Sequence, residues 1–305
     1  MHHLIELQKR YAEPLDSDCE PGRIPMIKIT PEEIRLLSQY IYKISGIVLD
    51  DKKAYLFESR LARLLEEQTC ASFKELYLKA ASDRTQKLER KIIDAITTGE
   101  TLFFRDHSPF EMLKNKILPD LIDRRSSTVA GNAGIPIRIW SAGCSTGQEV
   151  YSIAMVLKET LIDLNRYQIT LVGTDISDAA IAHASYGQYN KFEIERGLPL
   201  DKLNRYFQSN GSSWKVRDEI RVMVSFKKLN LMQSFEDKGT FDIIFCRNVS
   251  IYFNQEDRSR LFNKIADTLV PDGYIIVGSS ESLLGICPKL QPKRHVKSVF
   301  YQMAA

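Results

Sequence analysis

Apolar positions recur at helical spacing over the first third of the chain and at strand spacing beyond residue 135. Thr30-Pro31-Glu32-Glu33 supplies an N-cap, a proline at the first helical position and acids in the first turn. Ile34, Leu37, Ile41 and Ile44 then follow on one face, and Gly46 ends the run. A second helix is predicted from Tyr55 through Leu65, with Leu61, Leu64 and Leu65 as its apolar stripe. Two more are expected over Phe73–Ala81 and Lys87–Ile96, so residues 27–97 read as a small all-helical domain. Residues 1–26 hold Pro14, Pro21, Gly22, Pro25 and an acidic stretch with no sustained apolar period, the pattern of a flexible extension.

After Ile135 the period changes. Ile137–Trp140, Ile169–Val172, Phe241–Phe245 and Tyr274–Val277 are short runs rich in β-branched and aromatic residues. Amphipathic helices are predicted after the first three, over Glu149–Leu161, Asp178–Ala184 and Gln255–Leu269. Strands alternating with helices imply an α/β domain with a mostly parallel sheet and right-handed crossovers, here spanning 98–305. The interval 187–226 breaks that rhythm. It offers a helix at Leu200–Phe207, a Ser209-Asn210-Gly211 turn, and alternating runs around Trp214–Val216 and Ile220–Phe226. An inserted antiparallel β-subdomain is expected there.

Composition narrows the class. The chain has 305 residues, 44% hydrophobic and 27% charged, as a folded protein of two domains should. Its 42 Lys+Arg against 39 Asp+Glu leave a net charge of +3, too balanced for a dedicated nucleic-acid binder. The five cysteines (Cys19, Cys70, Cys144, Cys246, Cys287) form no CxxC pair and no zinc spacing, so neither a metal nor a disulfide framework is expected. No apolar run reaches the ~18–20 residues of a membrane span, and the start has no signal-peptide layout. A cytoplasmic location is the expectation.

In an open α/β sheet the ligand sits beyond the carboxyl ends of the strands, and three such ends are chemically loaded here. Ser141 to Glu149 carries Gly143 and Gly147 at a β–α turn. It matches neither GxGxxG nor a P-loop, since no lysine follows Gly147. Gly173-Thr174-Asp175 ends the second strand with an acid, the usual acceptor for ribose hydroxyls. Asp175 could instead cap the next helix, although Ser177 is better placed for that. Cys246-Arg247-Asn248-Val249, with Tyr252 beyond, puts polar groups at the third end, and Asn230-Leu231 could reach the same place. Between the domains lies Thr97 to Asp106, where Phe103, Phe104 and Arg105 admit both a structural and a binding role.

Five segments in order, TTGETLFFRD, IWSAGCSTGQEVYSIAM, GTDIS, FDIIFCRNVSIYF and PDGYIIVGSSES, resemble the CheR family of chemotaxis methyltransferases. The likeness also takes in ISGIVLDDKKAYLFESRLARLL of the helical segment. It implies a helical domain over a Rossmann-like class I methyltransferase domain that uses S-adenosylmethionine to esterify receptor glutamates. By motif position it implies that Thr101, Arg105, Glu149, Asp175, Asn230, Leu231, Arg247 and Asn248 line the cofactor site. Tyr252 would lie near the transferred methyl, with Arg105 and Tyr252 the catalytic pair. Glu149 would hold the methionyl amino group and Asp175 the ribose and adenine region. Arg60 and Arg63, three apart on one helix, would grip an acidic receptor helix. The implied partners are the cytoplasmic domains of methyl-accepting receptors, reached by a monomer. Two features depart from the family pattern. Gly99 stands where the family usually has Asn, and the hairpin Gln208–Glu219 is shorter than in members that tether to a receptor pentapeptide. The alternatives are a CheR-like sensor that binds cofactor or product without turnover, which Gly99 favours, and a methyltransferase for another substrate.

Overall fold

The capping pattern at Thr30 folds as read. In the computed structural model, which describes residues 27–49, 54–126, 134–235, 239–296 and 298–304, helix α1 spans Pro31–Ser45. The Thr30 hydroxyl accepts from Glu33 N, Glu33 closes the reciprocal bond, and Gly46 ends the helix at φ 77°. Helices α2 (Ala54–Glu67), α3 (Phe73–Ser82) and α4 (Lys87–Ile96) complete the bundle. Leu37, Ile41, Phe57, Leu61, Phe73 and Ile92 pack there as one core of their own. Each such side chain removed from water contributes about 1.5–3 kcal/mol. The extension at 1–26 lies outside the described residues.

Residues 108–126, where the sequence analysis names no element, are helical. Helices α5 (Ser108–Met112) and α6 (Leu118–Ser126) are joined by a π-type turn at Leu113–Ile117. Phe110, Leu113, Ile117 and Leu121 bury one face of it against the sheet.

The sheet is built from β1 (Ile135–Ala142), β2 (Tyr167–Asp175), β6 (Val224–Lys228), β7 (Phe241–Cys246), β8 (Leu269–Val277), β9 (Leu290–His295) and β10 (Ser298–Met303). Their order is β6-β2-β1-β7-β8-β10-β9. The first five run parallel, and β10 is antiparallel to both β8 and β9. Helices α7 (Gln148–Thr160), α8 (Asp178–Tyr186) and α12 (Gln255–Asp267) are the predicted crossovers. Each face of the sheet carries its own core. One holds Ile137, Ile139, Ile243 and Phe245; the other holds Trp140, Ile244, Leu261 and Phe262.

The expected inserted antiparallel sheet is present, but the run at 220–226 is not part of it. The insertion contains β3 (Gln188–Asn190), α9 (Lys191–Glu195), α10 (Leu200–Tyr206), β4 (Phe207–Asn210) and β5 (Ser213–Val216), in the antiparallel order β3-β5-β4. The Trp214 run pairs with Phe207–Asn210 on one side, closing the expected hairpin, and with Gln188–Asn190 on the other. Ile220 lies in a short helix, α11 (Asp218–Arg221), and Val224–Lys228 is the edge strand of the main sheet, paired in parallel with β2. A helical turn followed by a half-buried edge strand accounts for the alternation over 220–226.

Chain order reverses between β1 and β7, so the crevice of an open α/β sheet falls at their carboxyl ends. The helical domain is fastened over that crevice. Val48 N donates to Tyr252 O at 2.9 Å, and Asn230 Nδ2 donates to Ile44 O at 2.9 Å. The Ser177 hydroxyl donates to Asp94 at 2.7 Å and the Tyr42 hydroxyl to Asp257 at 2.8 Å.

Candidate cofactor and acceptor site

Under the helical domain lies a cavity of about 520 Å³, within the range usual for small-molecule sites. Thr101, Arg105, Glu149, Asp175, Asn230, Leu231, Arg247, Asn248, Tyr252 and Arg60 all line it. Arg63 does not: its side chain is 87% exposed and pairs with Glu67 four residues on.

The turn after β1 is shaped by close approach. Gly143 sits at φ 77°, and a Cβ there would lie 2.3 Å from Val249 Cγ2. Its N–H and that of Cys144 donate to Thr174 O, which binds the turn to the end of β2. Ser145 follows in the left-handed region at φ 50°, held by a 2.8 Å bond from its N–H to Asp175 Oδ2. Asp175 Oδ1 accepts from Ser177 N at 3.0 Å. Ser177 is the true N-cap of α8, its hydroxyl accepting from Ala180 N. Each Asp175 oxygen keeps further acceptor capacity toward the cavity. Burial pushes the Asp175 carboxyl up from its ordinary value, and the two backbone N–H bonds only partly oppose that.

Glu149 and Arg247 form the floor. Arg247 Nη1 donates to Glu149 Oε2 at 2.8 Å, and the other Glu149 oxygen accepts from the Ser141 hydroxyl at 2.8 Å. Arg247 Nη2 reaches Asp106 at 2.7 Å and Arg105 O at 2.9 Å. With its side chain only 2% exposed, Arg247 fixes the linker to the sheet rather than offering its charge to the cavity. The linker it grips is strained, with Phe104, Asp106 and His107 at φ 50°, 68° and 44°. Among the described residues the Arg105 side chain donates to Glu100 O alone, at 3.2 Å.

Two residues expected for their side chains are placed differently. Asn230 spends its amide on Ile44 O and its carbonyl oxygen on Met232 N, so toward the cavity it offers main chain. Arg60 donates to Ile96 O and to the Thr98 hydroxyl, tying α2 to the linker that carries Gly99 and Thr101. The two arginines are thus placed differently, with Arg60 bonded to the linker and Arg63 paired with Glu67 at the surface. Gly99 is outside the left-handed region, and a Cβ there would meet only Ser145 Oγ, at 3.6 Å. That hydroxyl is buried and has no partner among the described residues.

Sequence reading missed Glu281. It is 8% exposed and accepts from Asn248 N, Ser250 N, the Ser250 hydroxyl and Gly278 N. Its segment PDGYIIVGSSES stood out as a motif, but nothing local showed that its carboxylate crosses to the neighbouring loop. Among the described residues no group of acids, histidines and cysteines is arranged to hold a metal ion. No helix among them is long and apolar enough to cross a membrane.

A parallel sheet ending in an antiparallel hairpin, with the cavity at the switch point and an acid closing β2, defines a Rossmann-like methyltransferase domain. Comparison with known proteins places it more closely. Residues 99–297 match the SAM binding domain of CheR methyltransferase, and residues 32–97 match its all-alpha domain. Chemotaxis protein methyltransferase 1 of Pseudomonas aeruginosa is 40% identical over 255 residues, covering 82% of this chain and 90% of that protein. The chemotaxis protein methyltransferase of Vibrio parahaemolyticus is 38% identical over 284 residues, 91% of this chain and 98% of the other. That of Borreliella burgdorferi is 39% identical over 264 residues, 85% and 91% respectively. The chain belongs to the CheR methyltransferase family and is an S-adenosylmethionine-dependent methyltransferase.

Proposed function

We propose that this protein transfers the methyl group of S-adenosylmethionine to glutamate carboxylates of chemotaxis receptors, forming methyl esters for adaptation. The names of the similar chemotaxis protein methyltransferases support the substrate class, and the residues of the cavity support the chemistry. Bound S-adenosylmethionine would supply an electrophilic methyl on a positively charged sulfur.

The observation that carries the reading is the state of the cavity's own acids. Asp94, Glu100, Glu149 and Asp175 line it, and each is already committed to a donor of the protein. His183, also on the wall, faces Glu193 at 3.3 Å. An acceptor that must lose a proton, such as an amine or alcohol, would need as its base either a carboxylate already holding a protein donor or His183, whose buried Nε2 makes no hydrogen bond among the described residues. A glutamate carboxylate has an ordinary pKa of about 4.3 and arrives ionised. It needs alignment, not activation.

The residues divide that work. Asp175 holds the ribose hydroxyls with its remaining acceptor sites, and Thr101 and Asn248 flank the same space. Glu149, oriented by Arg247, holds the amino group of the methionyl part. Asn230 and Leu231 contribute main chain and apolar wall. Arg105 and Tyr252 position the acceptor at the mouth. Positive donor and negative acceptor both lose charge as the methyl moves. Groups that gripped those charges tightly would favour reactants over the transition state.

The test is incubation of the full chain with methyl-labelled S-adenosylmethionine and receptor-containing membranes. Label in the receptor that mild alkali releases as methanol is the expected result. Label stable to alkali, or found only in nucleic acid or small molecules, would refute the assignment.

A further inference from the structure

The loops after β7 and β8 start side by side, since Cys246 and Val277 are register partners. The first carries Asn248 and Tyr252 to the cavity. Glu281, on the second, does not line the cavity, yet its carboxylate is filled by that loop. Oε2 accepts from Asn248 N at 2.6 Å and from Gly278 N at 2.8 Å. Oε1 accepts from the Ser250 hydroxyl at 2.6 Å and from Ser250 N at 3.1 Å. All four acceptor positions of a carboxylate are thus used, with the charge met by oriented donors and, among the described residues, by no cation. Asn248 lies in the left-handed region at φ 58°, which among residues with a side chain asparagine adopts more readily than most, and its N–H bond to Glu281 fixes it there. Ser250 begins the short 3-10 turn Ser250–Tyr252, so the same carboxylate fixes the base of Tyr252. Gly278 leaves room for the arrangement: a Cβ there would stand 2.6 Å from Glu281 Oε2 and 2.7 Å from Asn248 Nδ2.

We propose that Glu281 is a positioning residue for methyl transfer, a clip that holds Asn248 and Tyr252 in their working conformation. The inference rests on the functional reading given above for the cavity. Glutamine at 281 would keep one acceptor oxygen but turn an N–H₂ group toward backbone N–H donors, so the clip opens with little change in volume. The 247–252 loop then relaxes from its left-handed turn.

The experiment measures three quantities on the full chain: hydrogen exchange at 247–252 without ligand, the Kd for S-adenosylhomocysteine, and single-turnover methyl transfer to receptor membranes. For Glu281→Gln, faster exchange confined to that loop is expected. The transfer rate should fall by about tenfold or more and the Kd rise by about three- to tenfold. Glu281→Asp should recover part of the rate, which a general loss of stability would not allow. Gly278→Ala, which displaces the carboxylate without touching its charge, should reproduce the defect. Should Glu281→Gln not fold, Ser250→Ala removes only the hydroxyl donor and is expected to slow transfer about threefold. A lowered melting temperature with rate, Kd and 247–252 exchange at wild-type values overturns the clip. A wild-type chain that does not bind S-adenosylhomocysteine refutes the cavity's assignment, while the exchange data still decide the clip.

Discussion

Replacing Asp175 by alanine separates cofactor binding from loop support. The carboxylate accepts from Ser145 N and Ser177 N, so its removal strands two backbone donors and releases Ser145 from a left-handed turn. Each unsatisfied donor costs about 1–3 kcal/mol, and a melting temperature several degrees lower is expected on that ground alone. Two bonds from ribose hydroxyls to an ionised acceptor contribute a further ~2–4 kcal/mol to binding, or roughly 30- to 1000-fold in Kd. Calorimetry with S-adenosylhomocysteine, well below the melting temperature of the variant, reads the second quantity without the first. Asp175→Asn keeps one carbonyl acceptor and should fall between. The pH dependence supplies an independent arm. Burial raises the folded pKa of Asp175, so its contribution to stability is largest at low pH and is lost as pH rises through that folded value. Binding runs the other way, because the ionised form is the better acceptor, and the wild-type Kd should worsen on acidification earlier than an ordinary aspartate would dictate. A Kd within about threefold of wild type in Asp175→Ala, with only the melting temperature lowered, would make Asp175 a loop support and nothing more.

Restoring the family amide with Gly99→Asn is sterically open and brings a partner to the buried Ser145 hydroxyl. S-adenosylhomocysteine should bind tighter by about 0.5–1.5 kcal/mol, and weaker binding with a lower melting temperature would reject the idea. Arg60→Ala frees the linker and should weaken the same ligand about three- to tenfold, whereas Arg63→Ala should leave it unchanged; equal effects would contradict the different placement of the two. At the domain junction, burial raises the Asp257 carboxyl, but bonds from Tyr42, Arg260 and Asn254 outweigh it and hold the group below the usual range. Its stabilisation is therefore present above the unfolded value of about 3.9 and lost as pH falls through the lower folded value. Tyr42→Phe should cost about 1 kcal/mol near neutral pH in thermal melts and progressively less in acid; a deficit independent of pH would show that the hydroxyl does not act through Asp257.

What could be read from the chain follows from how local each signal is. Thr30-Pro31-Glu32-Glu33 and Gly46 bracket α1 by capping chemistry contained in a few residues, and the apolar run of β7 is buried throughout, that of β1 nearly so, while β2 still carries its β-rich run Ile169–Val172. Strand β9 reads Leu-Gln-Pro-Lys-Arg-His, with only Leu290 buried, and gives no apolar alternation to find. The helical stripe Phe110, Leu113, Ile117, Leu121 was present but interrupted by the π-type turn, which breaks the expected spacing. In the site, strand ends and glycine turns pointed to the right loops. The commitment of Glu149 to Arg247, of Asn230 to Ile44 and of Glu281 to Asn248 depends on pairs 98, 186 and 33 residues apart, which no short motif encodes.

The pH profile of single-turnover methyl transfer to receptor membranes tests the base-free site most directly. With saturating S-adenosylmethionine, the rate should rise with one carboxylate ionisation and then stay flat from about pH 6.5 to 8.5. Tyr252→Phe should lower the plateau without moving the profile, as loss of a positioning group does. A wild-type rate that climbs through an ionisation near 7, abolished by Tyr252→Phe or by replacing Arg105, would contradict it.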